Sequence, residues 1–128
     1  MHVYYLPPER ELMRVTDDLV RPNGIIGTPD GKTLYIVDQG VERTYQYKIN
    51  KEGKLSRKKL FTEVGSDGMS IDNKRNIYIT NGKKVAKYDP KGNLLKSYEF
   101  PAFATNVVWS APASYVTTQA GQVFVIKH

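Results

Sequence analysis

The sequence predicts an all-β protein, a β-propeller of about three four-stranded antiparallel blades, which is half of a six-bladed ring. Three segments begin alike, at Asn23, Asp67 and Asn106, with spacings of 44 and then 39 residues. A short β-like run with a tyrosine follows each start, at Tyr35, Tyr78 and Tyr115. A period of about 40–45 residues with several strands in each unit is typical of propeller blades.

The blades are delimited by turn signals that recur at matched places. In Thr28-Pro29-Asp30-Gly31-Lys32, proline presets φ and glycine supplies positive φ. Asp72-Asn73-Lys74-Arg75-Asn76 occupies the same place in the next blade, and Asn50-Lys51-Glu52-Gly53 and Asp89-Pro90-Lys91-Gly92-Asn93 are a second matched pair. We therefore divide a single domain, 1–128, into a strand pair of a preceding blade (1–20), two blades (21–63 and 64–102) and an incomplete blade (103–128).

The predicted strands follow this division in order. The preceding blade contributes a third strand at 2–6 and an outer strand at 11–16. The complete blades have strands at 23–28, 33–38, 43–49 and 55–62, and at 67–72, 75–80, 83–89 and 93–100. The last blade has strands near 105–109, 114–118 and 122–127, and its outer strand is missing.

Composition excludes several classes of protein. The chain has 128 residues, 40% of them hydrophobic and 25% charged, which fits one folded domain and excludes disorder. It has no cysteine, no signal peptide pattern and no apolar run of the ~20 residues needed to cross a bilayer. These features predict a cytoplasmic protein without a membrane partner.

The net charge of +6 does not by itself indicate nucleic-acid binding. The lysines cluster in the predicted turns, where they solvate the surface and discourage edge-to-edge pairing of strands. The sequence holds none of the named nucleic-acid-binding motifs. We therefore expect no nucleic-acid partner.

Three blades are too few to close a ring, since propellers typically have about four to eight. Open strand edges and apolar flanks are a liability in water. Closed two-fold dimers are the commonest oligomers, so the sequence predicts a homodimer that closes the propeller. Residues 11–16 of one copy would supply the outer strand that the last blade of the other lacks.

The three repeated starts are also the candidate site. Equivalent positions of successive blades converge on the propeller axis, which places Asn23, Asp67 and Asn106 near one another. A carboxylate with amide carbonyl oxygens is a hard-oxygen set that suits calcium or magnesium. The alternative is structural, because Asn-Gly and Asp-Gly pairs also form turns and bulges.

Other candidates are weaker. His2 and His128 lie at the two ends, where we expect fraying, so the chain offers no Ser-His-Asp set. Asp38 and Asp72 end strands and are expected to cap turns. The three tyrosines are expected to form a repeated core layer.

The run from Arg21 to Asp38, the run from Asp67 to Thr80 and Thr105-Asn106-Val107 resemble the gluconolactonase, regucalcin and luciferin-regenerating-enzyme family. The chain corresponds to only the C-terminal part of such a six-bladed propeller. The resemblance implies a divalent cation in the channel, calcium foremost with zinc or magnesium as alternatives. It implies Asn23 and Asp67 as ligands; the family's further glutamate ligand has no match among these residues.

The resemblance implies hydrolysis of a lactone or a similar ester, by the complete protein or by a split remnant completed by self-association. Asp67 would be the catalytic residue as well as a ligand, and Asn106 would bind substrate. The alternative is a non-catalytic propeller module that binds a small ligand or a protein partner. Retention of Asn23 and Asp67 favours the enzyme, and the unmatched glutamate favours the alternative.

Overall fold

The computed structural model describes residues 1–9, 11–65 and 67–128. These residues form thirteen strands in four antiparallel sheets. The strands are β1 (Val3–Tyr5), β2 (Met13–Thr16), β3 (Pro22–Gly27), β4 (Thr33–Asp38), β5 (Arg43–Ile49), β6 (Leu55–Thr62), β7 (Met69–Ile71), β8 (Ile77–Asn81), β9 (Lys84–Tyr88), β10 (Leu94–Glu99), β11 (Ala104–Ser110), β12 (Ala113–Thr118) and β13 (Val123–Lys127). Their ends lie within two residues of the predicted ones.

The sheets follow the chain in order. The strand pair β1–β2 comes first, then the four-stranded sheets β3-β4-β5-β6 and β7-β8-β9-β10, and then the three-stranded sheet β11-β12-β13. This is a partial β-propeller, as predicted. We call the two four-stranded sheets the first and second blades and the last sheet the third blade. No helix able to span a membrane occurs in the part of the chain that the structure describes.

The turns between strands are held by a side chain at their first position. In the second blade, Asp72 Oδ1 accepts hydrogen bonds from the backbone N–H groups of Lys74 and Asn76, both at 2.9 Å. The turn that begins at Asp89 repeats the two bonds at the same distances. Asp38 Oδ1 accepts from the N–H of Gly40 at 3.1 Å in the turn that follows β4, and the same carboxylate accepts from the N–H groups of Val20 (2.9 Å) and Arg21 (2.8 Å) in the segment before β3. The prediction that Asp38 and Asp72 cap turns is confirmed.

The core lies between the blades. Tyr35 and Val37 of the first blade pack against Met69, Ile77 and Ile79 of the second. The second and third blades share an equivalent core, formed by Tyr78, Val85, Ala104, Val107, Val116 and Ile126. Alternate residues of each strand point to opposite faces of the sheet, so each blade has one face toward the preceding blade and one toward the following blade.

Two expectations about the ends of the chain are wrong. Tyr115 pairs with Val108 in the register in which Tyr35 pairs with Ile26, but it is 44% exposed. It belongs to the face that would pack on a following blade, and none of the described sheets covers that face. His128 is not frayed, because Nε2 lies 2.8 Å from Ser114 Oγ and the ring packs edge-on against Tyr78. Burial, with help from nearby Lys87, lowers the pKa of its imidazole.

Candidate functional site

The first strands of the three blades meet at a polar pocket of about 320 Å³. The pocket is lined by Asn23, Gly24, Ile25, Asp67, Gly68, Met69, Thr105 and Asn106. It therefore brings together all three residues that the sequence singles out. The packing that aligns the blades also brings their polar first-strand residues to one place.

Asp67 is the charged centre of the pocket and is held from several sides. Its Oδ1 accepts hydrogen bonds from Asn23 Nδ2 at 3.1 Å and from Gln39 Nε2 at 3.2 Å. The backbone N–H groups of Asp67 and Gly68 both donate to Thr80 Oγ1, at 3.1 and 3.0 Å. These bonds orient the carboxylate. The side-chain amides of Asn23 and Gln39 both donate to Oδ1, and neither uses Oδ2.

Gln39 is the residue that sequence reasoning missed. It follows β4 directly, and its backbone N–H donates to Arg21 O at 2.9 Å, which directs the side chain toward Asp67. The third blade repeats this bond, since Gln119 N–H donates to Phe103 O at 2.9 Å. The recurrence of a glutamine just after the second strand of a blade was the available signal.

Asn106 lines the pocket but is not the register equivalent of Asn23 and Asp67. Directly paired residues define the register, namely Ile25 with Ile36, Met69 with Ile79 and Val107 with Val116. Counting back from these pairs aligns Thr105 with Asn23 and Asp67, and Asn106 with Gly24 and Gly68. The predicted equivalence is therefore wrong by one residue. Asn106 Oδ1 accepts the N–H of Val107 at 2.9 Å.

The two glycines of the pocket permit the close approach of the blades. A Cβ on Gly24 would lie 2.5 Å from the backbone oxygen of Asp67, and a Cβ on Gly68 would overlap Asn106 Oδ1. Any side chain at either position would push the neighbouring blade away. The Asn-Gly and Asp-Gly pairs thus serve the geometry of the pocket.

The donor set of the pocket fits a weakly bound hard cation. The Asp67 carboxylate and the side-chain carbonyl oxygens of Asn23, Gln39 and Asn106 are the ligand type that calcium prefers. The pocket supplies neither imidazole nor thiolate, which zinc favours. Within residues 1–9, 11–65 and 67–128, no three His, Cys, Asp or Glu side chains form a metal-binding group. A cation would therefore need more negative charge than Asp67 alone provides.

Comparison with known proteins identifies relatives of the chain. A family model described as "SMP-30/Gluconolactonase/LRE-like region" matches residues 1–120. Regucalcin of Danio rerio is 27% identical over 109 residues, which cover 78% of this chain and 37% of regucalcin. A protein of Sulfolobus acidocaldarius is 25% identical over 109 residues, 40% of its own length. The chain thus spans less than half the length of each of these two curated relatives.

Solved structures agree with the sequence comparisons. A gluconolactonase of Xanthomonas campestris superposes with a TM-score of 0.88 and 26% identity, over 99% of this chain and 44% of that protein. A calcium-binding protein of Agrobacterium tumefaciens, regucalcin, superposes with a TM-score of 0.83 and 24% identity. The superposition covers 98% of this chain and 51% of the Agrobacterium protein. The second likeness concerns the fold alone.

Proposed function

The chain belongs to the SMP-30/gluconolactonase/LRE-like family, and from this membership we propose that it forms part of a calcium-dependent, lactonase-like hydrolase centred on Asp67. The observation that carries the proposal is the pocket in which Asn23 and Gln39 hold one oxygen of the Asp67 carboxylate. The name of one relative, a gluconolactonase, supports the reaction, and the hard-oxygen donors of the pocket support the metal.

The residues of the pocket have distinct roles in this proposal. Asp67 and Asn23 are ligands, and the Asp67 carboxylate also orients or deprotonates the attacking water. Gln39 holds Asp67 in place, and Asn106 lines the substrate side. A bound divalent cation would supply polarisation of the lactone carbonyl. The pocket is broad enough at about 320 Å³ to admit a small cyclic ester beside Asp67.

The missing negative charge comes, in this proposal, from a second copy of the chain. Around a two-fold axis that coincides with the propeller channel, each copy presents its own Asn23 and Asp67 to the same space. Two carboxylates then face the cation in place of one. The homodimer is thus part of the proposed function, and the surface that forms it is argued below.

Thermal melting with and without calcium tests the metal site. At a calcium concentration 100 times the dissociation constant, binding to the folded form stabilises it by about 2.7 kcal/mol. We expect a rise in Tm for the wild type and none for Asp67→Asn. Asp17→Asn is the matched control, because it removes one exposed carboxylate that does not line the pocket and should keep the calcium effect. A calcium effect that Asp67→Asn retains would contradict the assignment.

Hydrolysis of simple lactones tests the reaction. We expect turnover by the wild type and by Asp17→Asn, and its loss in Asp67→Asn. Equal rates for wild type and Asp67→Asn would mean that the activity does not come from this pocket.

A non-catalytic ligand-binding module is the second candidate. The observation in its favour is the single carboxylate of the pocket, with no group of three ionisable ligands among the described residues. Calcium stabilisation without turnover of any lactone would select this candidate.

A further inference from the structure

The third blade carries an exposed apolar face. Val108, Tyr115 and Val125 lie directly opposite one another across β11, β12 and β13, and they are 54%, 44% and 51% exposed. Val123 extends the row on β13 and is also exposed. We call these four residues the free face. Lys127, at the end of β13, is the charged residue that shares this side of the sheet, and the four apolar side chains form a continuous exposed patch beside it.

The equivalent faces of the first two blades are buried inside this same chain. Tyr35 and Tyr78, which correspond to Tyr115, are 4% and 1% exposed. Tyr35 is covered by the second blade and Tyr78 by the third. The chain itself therefore shows what covers such a face, which is the opposite face of another blade of this sequence.

The first blade offers an opposite face that is only partly covered. Ile36 is 1% exposed beneath Val3 and Leu19, but its strand partner Ile25 is 51% exposed. The register equivalents of Ile25, Met69 and Val107, are 7% and 3% exposed because a preceding blade covers them. A pocket of about 470 Å³, lined by Ile25, Leu34, Val3 and Tyr4 among others, lies where that cover is incomplete.

We propose that the free face of one copy packs on the open face around Ile25 of a second copy, and that two such contacts close a six-bladed ring. The partner is a second copy because this chain supplies both halves of the contact, and because blades of this sequence already make the same contact twice. The contact itself is independent of the proposed function. The inference rests on that function only in placing the Asp67 side chains of both copies in one shared channel.

Strand counting specifies how the ring closes. The pair β1–β2 holds the places of a third and an outer strand, and β11-β12-β13 holds the places of a first, second and third strand. One blade built from both has two candidates for its third strand. β13 pairs with five residues of β12, whereas β1 pairs with three of β2. We therefore assign the third place to β13. The β2 of the partner then pairs with β13 as the outer strand, and the partner's β1, whose Val3 covers Ile36 in the single chain, gives up its place to β13.

Mass measurement at micromolar concentration, in EDTA, tests the association without calcium. We expect the wild type at twice the chain mass of 14.5 kDa. Val125→Lys and Tyr115→Lys place a charge on the free face and should shift the protein to the monomer, with circular dichroism confirming the fold. Leu95→Lys is the matched control, because Leu95 is 52% exposed but lies on β10, outside the free face. A monomeric wild type overturns the proposal, and so does a dimer that both free-face variants leave intact.

Directed crosslinking tests the contact itself. Val108 is the register equivalent of Ile26, and Ile25 is that of Met69; Ile26 and Met69 belong to one interblade core. Since the chain has no cysteine, a mixture of Val108→Cys and Ile25→Cys chains should give a disulfide-linked dimer. A mixture of Leu95→Cys and Ile25→Cys chains should not. Equal crosslinking in both mixtures would overturn the proposed contact.

The calcium melt separates this inference from the proposed function. A dimer that forms in EDTA, crosslinks as expected and shows no calcium effect supports the contact and ends the metal-site proposal. A monomer that calcium stabilises through Asp67 overturns the contact, and with it the second carboxylate, and supports a metal site formed by Asp67 of a single chain.

Discussion

At the scale of single residues, Gln39 places a neutral amide directly beside the Asp67 carboxylate. Its amide donates to Asp67 Oδ1 at 3.2 Å, so a carboxylate at position 39 would face another carboxylate. Calcium affinity rises with the number of charged ligands, whereas two close carboxylates repel each other when no cation is bound.

We expect Gln39→Glu to lower Tm in EDTA and to enlarge the rise in Tm that calcium produces. Melting curves at matched calcium concentrations measure both effects. Gln122→Glu is the control, because Gln122 is an exposed glutamine that does not line the pocket. A loss of Tm that calcium does not reverse would argue against a cation beside Asp67.

Asp72 links a turn to the core and predicts an acid-sensitive stability. Burial raises the pKa of its carboxyl, but hydrogen bonds from Asn76, Lys74 and Tyr78 outweigh burial and hold the pKa below its usual value. A carboxyl whose pKa is lowered by folding stabilises the protein above its unfolded pKa of about 3.9, and this contribution is lost as the pH falls through the folded pKa.

We expect Asp72→Ala to lower the free energy of unfolding by about 2–3 kcal/mol at pH 7, since buried partners lose bonds to a charged acceptor. The difference from the wild type should shrink as the pH falls below about 4. Asp89→Ala removes the same turn bonds at a more exposed position and should cost less. Urea unfolding at several pH values measures this, and a pH-independent difference would contradict the role of the charge.

At the scale of strands, the turns made the fold predictable. The turns at Asp72 and Asp89 depend on local bonds from a side chain to the backbone two and four residues later, so their sequence suffices to locate them. Each turn joins two neighbouring antiparallel strands, so locating the turns also locates the strands between them. The predicted blades therefore agree with the observed strands to within two residues.

The site was less predictable, because it depends on register. A bulge at the start of β11 lies between Ala104 and Asn106, and another in β3 lies between Pro22 and Ile25. The register therefore cannot be counted from the strand starts, and matching Asn106 by residue type with Asn23 and Asp67 gave an alignment that is one position out. Gln39 was missed because its role arises from a contact with a neighbouring blade, and the recurrence of glutamine at Gln119 indicates the position without indicating that contact.

The contact between the first and second blades should dominate stability at this scale. Ile79 is fully buried in their shared core, and Ile→Ala changes in such cores cost about 2–5 kcal/mol. We expect Ile79→Ala to fall in that range by denaturant unfolding. Leu94→Ala, at a side chain that is 58% exposed, should change stability by less than about 0.5 kcal/mol. Similar losses for both would mean that the blades are not held by this core.

At the scale of the whole molecule, the chain has half the blades of a ring and the unsatisfied surfaces that follow from this. The free face lies at one end and the open face around Ile25 at the other. Each is apolar because the same positions are core positions in the remaining blades. The family resemblance read from the Asn23 and Asp67 motifs is confirmed by the match over residues 1–120, whereas ring closure stays a prediction.

Ring closure predicts that thermal stability depends on protein concentration. When a folded dimer unfolds to separate chains, a tenfold rise in concentration favours the dimer by about 1.4 kcal/mol, so Tm should rise steadily across a dilution series. Val125→Lys should give a lower Tm that does not change with concentration, and Leu95→Lys should behave as the wild type. Because each copy carries a net charge of +6, added salt should screen their repulsion and raise the Tm of the dimer. A wild-type Tm that is the same at every concentration would contradict ring closure by a second copy, since nothing in the folding of a monomer depends on concentration.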